Sequence, residues 1–309
     1  MRVTQGMLSS QVLFDIQNNY QQLSNLQNES ATGKKINTPS DDPIGVQAVM
    51  QYQNETAFDA QYQQNATNAQ AQLNYTSTTM TEAQSVLSNA RDLAVEGSNS
   101  TETTSDMQAI AAEVGQLYNQ MVTIGNTQYN GQYIFNGQDT AQAPYPTQAE
   151  NITPDKATGS LDPSQVSTNT GQVLVNLGNG VTLPVSASGN DFFGQAGSSS
   201  NAFSLLGQLY SALNSGDTSK VGDLISGIDS ALDTMNQVQA NVGSLTDRAQ
   251  LMGTRMSNLS TNLTQQLSNV QDADMATVLT QLSSAMAVQQ ASLEVGAQAL
   301  PQSLLSYLK

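Results

Sequence analysis

The chain has 309 residues, 25 of them acidic and 9 basic, for a formal net charge of −16, and its longest basic run is the pair Lys34-Lys35. Nucleic-acid binding needs clustered Lys and Arg that displace counterions, so that partner is excluded, and anionic membrane surfaces are disfavoured on the same ground. The absence of Cys, His and Trp removes disulfides, thiolate chemistry, zinc sites and Ser-His catalysis.

Charged residues make up 11% of the chain, against about 25% in ordinary globular proteins, and Asn, Gln, Ser and Thr supply the polarity instead. The first twenty residues lack the apolar core of a secretory signal peptide. No window approaches the ~20 apolar residues of a membrane span, so no membrane insertion is expected.

In chain order, Leu13, Ile16, Tyr20 and Leu23, with Met7 ahead of them, step by threes and fours, the spacing of a narrow amphipathic helix. Gly33 suits its end, where a left-handed residue closes the last turn. The stretch NTPSDDPIG follows, Asn37 to Gly45. Pro39 and Pro43 bias Thr38 and Asp42 towards extended backbone. Pro43 then suits the first turn of a new helix, with Asp42 as its cap and Asp41 adding negative charge at the positive end of the helix dipole. Lys35, Asn37, Pro39, Ser40, Asp41, Asp42 and Pro43 thus spell a rigid corner.

From Tyr62 the spacing becomes heptad-like: Ala66, Ala69, Leu73, Thr76, Met80, Ala83, Leu87, Ala90 and Ala94. That is the seam of a long helix on other helices, and one helix from Pro43 to Glu96 would span about 80 Å. A second run is Met107, Ile110, Val114, Leu117, Met121 and Ile124. The segment QYNGQYIF then carries Asn130-Gly131, a hairpin signal.

From Gln138 to Ser200 the helical period disappears and Gly, Pro, Ser and Thr dominate. Val173, Val175 and Leu177 alternate before Asn179-Gly180, and Val181, Leu183 and Val185 alternate after it, predicting a hairpin whose two turn residues both take positive φ. This β-rich insertion is expected to lie off the helical seams, so that removing about residues 142–197 spares assembly. A third heptad run goes from Ile225 to Leu263, with a break where Met235 and Val238 follow two successive steps of three.

Near the C-terminus Leu279, Met286, Leu293, Leu300 and Tyr307 recur every seven residues, supported by Met275, Leu282 and Leu304, while Gln289 and Gly296 fall on the second seam position. Asp272 and Asp274 precede this run. The pairs Asp41-Asp42 and Asp272/Asp274 could hold a metal or serve as acid and base, but no His, further Glu or Gly-rich ligand loop adjoins either, so capping is the reading. The two terminal arms are of nearly equal length, which predicts antiparallel pairing. Their thin stripes offer little to offset backbone ordering, so they are expected to be marginal alone and to order on neighbouring copies.

The fold class is therefore mostly α with a β-rich insertion: a long antiparallel helical bundle or coiled-coil rod, with the terminal helices as a separate assembly domain. Expected boundaries are 1–36 with 270–309 for the terminal domain, 37–140 with 201–269 for the rod, and 141–200 for the insertion.

Several motifs in order resemble the flagellin superfamily and, within it, the hook–filament junction family. The opening MRVTQGML, the corner GKKINTPSDDPIG, the hairpin NGQYIFNGQDT, the run DADMATVLTQLSSAMAVQQASL and the ending LLSYLK carry that resemblance. Lys35 departs from the Arg common in the family, which weakens a bidentate contact. The resemblance implies a structural subunit of the bacterial flagellum, not an enzyme, with no cofactor. It implies export unfolded through the flagellar channel to an extracellular junction. Implied partners are a hook-side junction protein, flagellin, copies of itself in a ring, and a cytoplasmic export chaperone on the helix from about Met275. A filament flagellin is the nearest alternative, and a coiled-coil surface adhesin a more distant one.

Overall fold

The computed structural model describes residues 5–99 and 103–299. In order come α1 (Gln5–Thr32), α2 (Pro43–Gly97), α3 (Thr104–Gly125), the hairpin β1 (Gln128–Tyr129) and β2 (Gln132–Tyr133), four short 3-10 turns, and the hairpin β3 (Leu174–Gly178) and β4 (Val181–Pro184). They are followed by α4 (Gly189–Phe192), α5 (Ala202–Ser215), α6 (Thr218–Gln271) and α7 (Met275–Ala299). The chain divides into two compact units, a terminal unit of residues 1–58 and 258–309 and a central unit of residues 59–257.

In the central unit α2 and α6 run antiparallel. Gln84 donates to Asn236 at 3.2 Å, Gln239 donates to Thr81 at 2.7 Å, and Arg91 pairs with Asp229. All nine residues of the α2 heptad run, Ala66 to Ala94, are buried. Their small side chains let the helices approach closely, and a Cβ added at Gly253 would meet Ala66 at 3.6 Å. The α3 run is buried apart from half-buried Leu117, and Thr103 and Asp106 form a reciprocal capping box at its start. The skipped step at Met235 and Val238 does not interrupt α6, which continues unbroken from Thr218 to Gln271; its inward stripe drifts and stays apolar.

Both hairpins form where Asn-Gly marks them. Asn130 and Gly131 have φ of 51° and 77°, as a tight hairpin turn requires. At Asn179-Gly180 only Gly180 takes positive φ, because the ladder slips between Asn176 and Gly178 and that bulge relieves the turn.

The expectation that residues 141–200 lie off the helical seams fails. Outside the β3–β4 hairpin this segment is largely 3-10 turn and irregular chain, and its apolar side chains complete the core. Tyr145, Ala149, Leu177, Leu183, Val185, Phe192 and Phe193 are buried in one cluster with α2, α3, α5 and α6. Ring centroids of Tyr145 and Phe203 are 4.6 Å apart, those of Phe193 and Phe203 5.2 Å, and those of Phe135 and Phe192 5.5 Å. Such tilted and stacked ring contacts add about 0.5–1.5 kcal/mol each beyond area burial. Close packing raises the stakes at Gly189, where a Cβ would meet the Tyr145 hydroxyl at 2.5 Å. Burial in this cluster pushes the Tyr145 phenol well above its usual range.

Polar groups hold the same segment. The backbone of Ile134 to Gly137 bonds to Ala187 and Gly189, and buried Asn136 accepts from the Asn169 amide at 3.1 Å while donating to the Gln142 carbonyl at 3.2 Å. Asn201 caps α5 through the Phe203 and Ser204 amides and donates to the Gly194 carbonyl. Sequence periodicity could not find Phe192, Phe193, Asn136 or Asn201; the signal present was aromatic residues inside a Gly- and Ser-rich stretch.

Candidate assembly surface

Within the terminal unit the corner is a tied loop. Gly33, with φ of 69°, ends α1, and the chain next pairs with the turn between α6 and α7: Lys34 bridges Asp272, the Lys35 amide donates to the Gln271 carbonyl, and the Ala273 amide donates to Gly33. The Lys35 ammonium reaches the Asn269 carbonyl at 3.3 Å, a single donor-acceptor contact. Asn37 donates to the Lys34 carbonyl at 2.8 Å, and the hydroxyls of Thr38 and Ser40 meet at 2.7 Å.

Pro43 is the first residue of α2, and Asp42 caps it by accepting from the Ile44 and Gly45 amides at 3.1 and 3.0 Å. Asp41 does not act at that helix end as expected. Its carboxylate turns back to accept from the amides of Asn37 and Thr38 and from the Thr38 hydroxyl, because the prolines fold the loop over it. Those bonds, the Thr38 amide first, hold its carboxyl below the usual range. Asp274 caps α7 through the Ala276 amide and the Thr277 hydroxyl, and the Thr277 hydroxyl leads in lowering its pKa. Asp272 accepts from the Ser268 hydroxyl at 2.6 Å. Among the described residues no group of three or more His, Cys, Asp or Glu could hold a metal, and these four carboxylates are engaged with backbone and hydroxyl donors.

Helices α1 and α7 pair antiparallel, as the equal arms predict: Asn19 donates to the Ser292 hydroxyl at 2.9 Å, and a Cβ on Gly296 would meet Ile16 at 3.0 Å and Val12 at 3.5 Å. The inward residues are Val12, Ile16, Asn19, Leu23 and Leu26 on α1, and Val278, Leu282, Ala285, Gln289, Ser292 and Gly296 on α7. Of the expected apolar stripes Ile16, Leu23 and Leu282 belong to this seam, together with Gln289 and Gly296 at the second seam position. Leu279, Met286 and Leu293 are 50%, 47% and 53% exposed, and Met275, Met7, Leu13 and Tyr20 are exposed as well. Leu300, Leu304 and Tyr307 lie outside the described residues.

The offset has a simple geometric cause. At about 100° per residue, a stripe repeating every seven residues beside the seam looks the same in sequence as the seam itself. Over the second half of α7 the inward residues, Gln289, Ser292 and Gly296, are small or polar, and larger apolar residues flank them. Leu13 and Leu293 line one groove of about 300 Å³ with Gly296 at its floor, and Val288 and Val295 line another of about 280 Å³ on the opposite flank. The pair therefore presents apolar grooves on two sides.

The description of the bacterial flagellin N-terminal helical region matches residues 3–140, and that of the C-terminal helical region matches residues 225–308. Over 287 residues the chain is 23% identical to flagellar hook-associated protein 3 of Escherichia coli strain K12, covering 89% of each. Over 319 residues it is 26% identical to the Salmonella typhimurium strain LT2 protein of the same name, covering 95% of this chain and 94% of that one. The crystal structure of Bacillus cereus FlgL matches with a TM-score of 0.55 at 22% identity, covering 69% of this chain and 97% of that one, a likeness of fold.

Proposed function

The chain belongs to the flagellin family, and from that premise we propose that it is a structural subunit of the bacterial flagellum, of the hook-associated protein 3 kind, seated where hook meets filament. The observation that carries the assembly role is the flanked seam of α1 and α7. Leu13, Tyr20, Leu279, Met286 and Leu293 stay exposed beside a seam too thin to need them. Apolar surface arranged along paired helices is suited to further helices.

In this reading residues 1–36 and 270–309 form the assembly domain, and the corner from Lys35 to Pro43 sets where the chain enters and leaves it. The partners are copies of the same chain in a ring, a hook-side junction protein on one side and flagellin on the other. Before export a cytoplasmic chaperone covers the apolar flank of α7, including Met275, Leu279, Met286 and Leu293. The protein then leaves through the flagellar export channel. No helix among the described residues is long and apolar enough to cross a membrane. Its work is mechanical coupling through many shallow contacts, and no catalytic step is assigned to it.

The test is position. Antibody label on intact flagella is expected at a single band at the cell-proximal end of the filament. Label along the whole length, or growth of long homopolymers from the purified chain on filament seeds, would instead make it a filament flagellin.

A further inference from the structure

A cavity of about 630 Å³ opens in the central unit between α5, the start of α6 and the 3-10 turns of the insertion, a size within the ~300–1,000 Å³ range of small-molecule sites. One wall is apolar, with Pro154, Ala157 and Phe203 buried and Leu224 half-buried. The other is polar: Ser204, Gln208, Ser211 and Ser215 follow one another by steps of four, three and four along one face of α5. Asp162 and Asp223 also line it.

Its acceptors outnumber its donors. Gln208 donates to the Ser204 hydroxyl at 2.9 Å, and the hydroxyls of Ser211 and Ser215 donate to the Gly207 and Ala212 carbonyls, each at 3.0 Å. The lone pairs of those hydroxyls remain for a ligand. One oxygen of Asp162 accepts from the Ser164 amide at 2.9 Å, and its other oxygen is spare. Lys220 lies 3.5 Å from Asp217 and so already has its counter-charge.

Tyr118 marks the cavity as a site. Its ring is buried and stands edge-on to Phe203, with centroids 6.4 Å apart, yet its hydroxyl bonds to none of the described residues. A buried phenol normally finds a partner. Burial first, and the charge of Asp162 second, push this phenol well above its usual range, so it keeps its proton as a donor. Phenol and carboxylate feel each other's charge without bonding, which leaves room for a group that accepts from one and donates to the other. A carbohydrate hydroxyl does both. Water would answer the two polar groups but leave the apolar wall wet, whereas a sugar ring also has C–H faces to lay against it. Asp162 and Asp223 turn anions away, and among the described residues no group of three or more His, Cys, Asp or Glu could hold a metal.

We propose that this cavity binds a neutral saccharide of one or two rings, with a C–H face against Pro154 and Phe203 and its hydroxyls shared among Tyr118, Asp162 and the serine face of α5. The inference stands on the central unit alone and does not depend on the assembly role.

The test is titration calorimetry, with saturation-transfer NMR for weak binding, of the purified full-length chain against maltose, lactose and N,N′-diacetylchitobiose. Putrescine is the comparison that stands for a basic side chain of a partner protein. At least one disaccharide is expected to bind saturably, and putrescine is not. Tyr118→Phe removes only the unbonded hydroxyl, so it is expected to keep the thermal transition of the central unit while weakening the saccharide about fivefold, the ratio that one neutral hydrogen bond commonly sets. Asp162→Asn keeps an acceptor for the Ser164 amide and is expected to weaken it about tenfold, since a charged acceptor bonds more strongly. Ser211→Leu, at an exposed position of α5, crowds the cavity without disturbing the interior and is expected to abolish binding. Failure of all three disaccharides to bind overturns the proposal. So does saccharide binding that none of the three variants moves, which would place it elsewhere on the chain. Saturable binding of putrescine in the absence of saccharide binding overturns it in favour of a basic partner group.

Discussion

The chain contains two antiparallel helix seams built on opposite terms. In the central unit all nine expected positions on α2 are buried, those on α6 from Ile225 to Met256 are apolar and buried or half-buried, and the insertion closes over that seam with a cluster of aromatic rings. Between α1 and α7 the seam mixes seven aliphatics with Asn19, Gln289, Ser292 and Gly296, and larger apolar side chains stand beside it in solvent. The first arrangement satisfies itself within one copy. The second is satisfied in part, and the remainder faces outward. The difference teaches that heptad spacing alone does not report stability; what fills the inward positions does.

The sharpest way to break this contrast is to remove residues 142–197. Loss of Tyr145, Leu183, Phe192 and Phe193 would expose Phe135 and Phe203, so the central unit is expected to lose its cooperative thermal transition altogether, measured by calorimetry. A retained transition would show that the insertion is an appendage. Next in size, Phe193→Ala is expected to cost about 3–5 kcal/mol in denaturant unfolding of the central unit, whereas Leu23→Ala, at a half-buried position of the thin seam, is expected to leave that transition in place. Smaller still are the caps. Asp42→Ala and Asp274→Ala are each expected to loosen the helix start they cap, read as faster proteolysis near residues 37–45 and 271–275.

Asp41 and Asp274 also set a pH dependence. Both carboxyls lie lower in the folded chain than their ordinary value near 3.9, so their contribution is complete above that value and is lost as pH falls through the lowered folded values. Corner proteolysis should be flat from pH 7 down to about 5 and rise in stronger acid; a rise centred near neutrality would refute that account. The smallest effect is expected for Arg91→Ala. Its pair with Asp229 is solvent-accessible, and such pairs contribute little and weaken further with salt.

Much of this was legible before any coordinates. The Ala66 to Ala94 stripe, the capped restart at Asp42-Pro43 and the Asn130-Gly131 turn each follow from a local rule with one dominant cause. The face that α7 turns to α1 was not legible, because the seam and its flank share a seven-residue period and only the Gly296 notch and the Asn19–Ser292 bond distinguish them. The place of Phe192 and Phe193 was hidden for another reason: irregular backbone carries no period, so burial there is decided by the shape of the helices it covers. Asp41 was misread because two carboxylates before a proline can serve either the helix ahead or the loop behind, and sequence does not say which.

The α2–α6 seam joins residues far apart in the chain, Gln84 meeting Asn236 152 positions later, and α1 meets α7 across 273. Both seams therefore close only across long stretches of intervening chain, which makes their pairing slower than the local turns and caps that flank them.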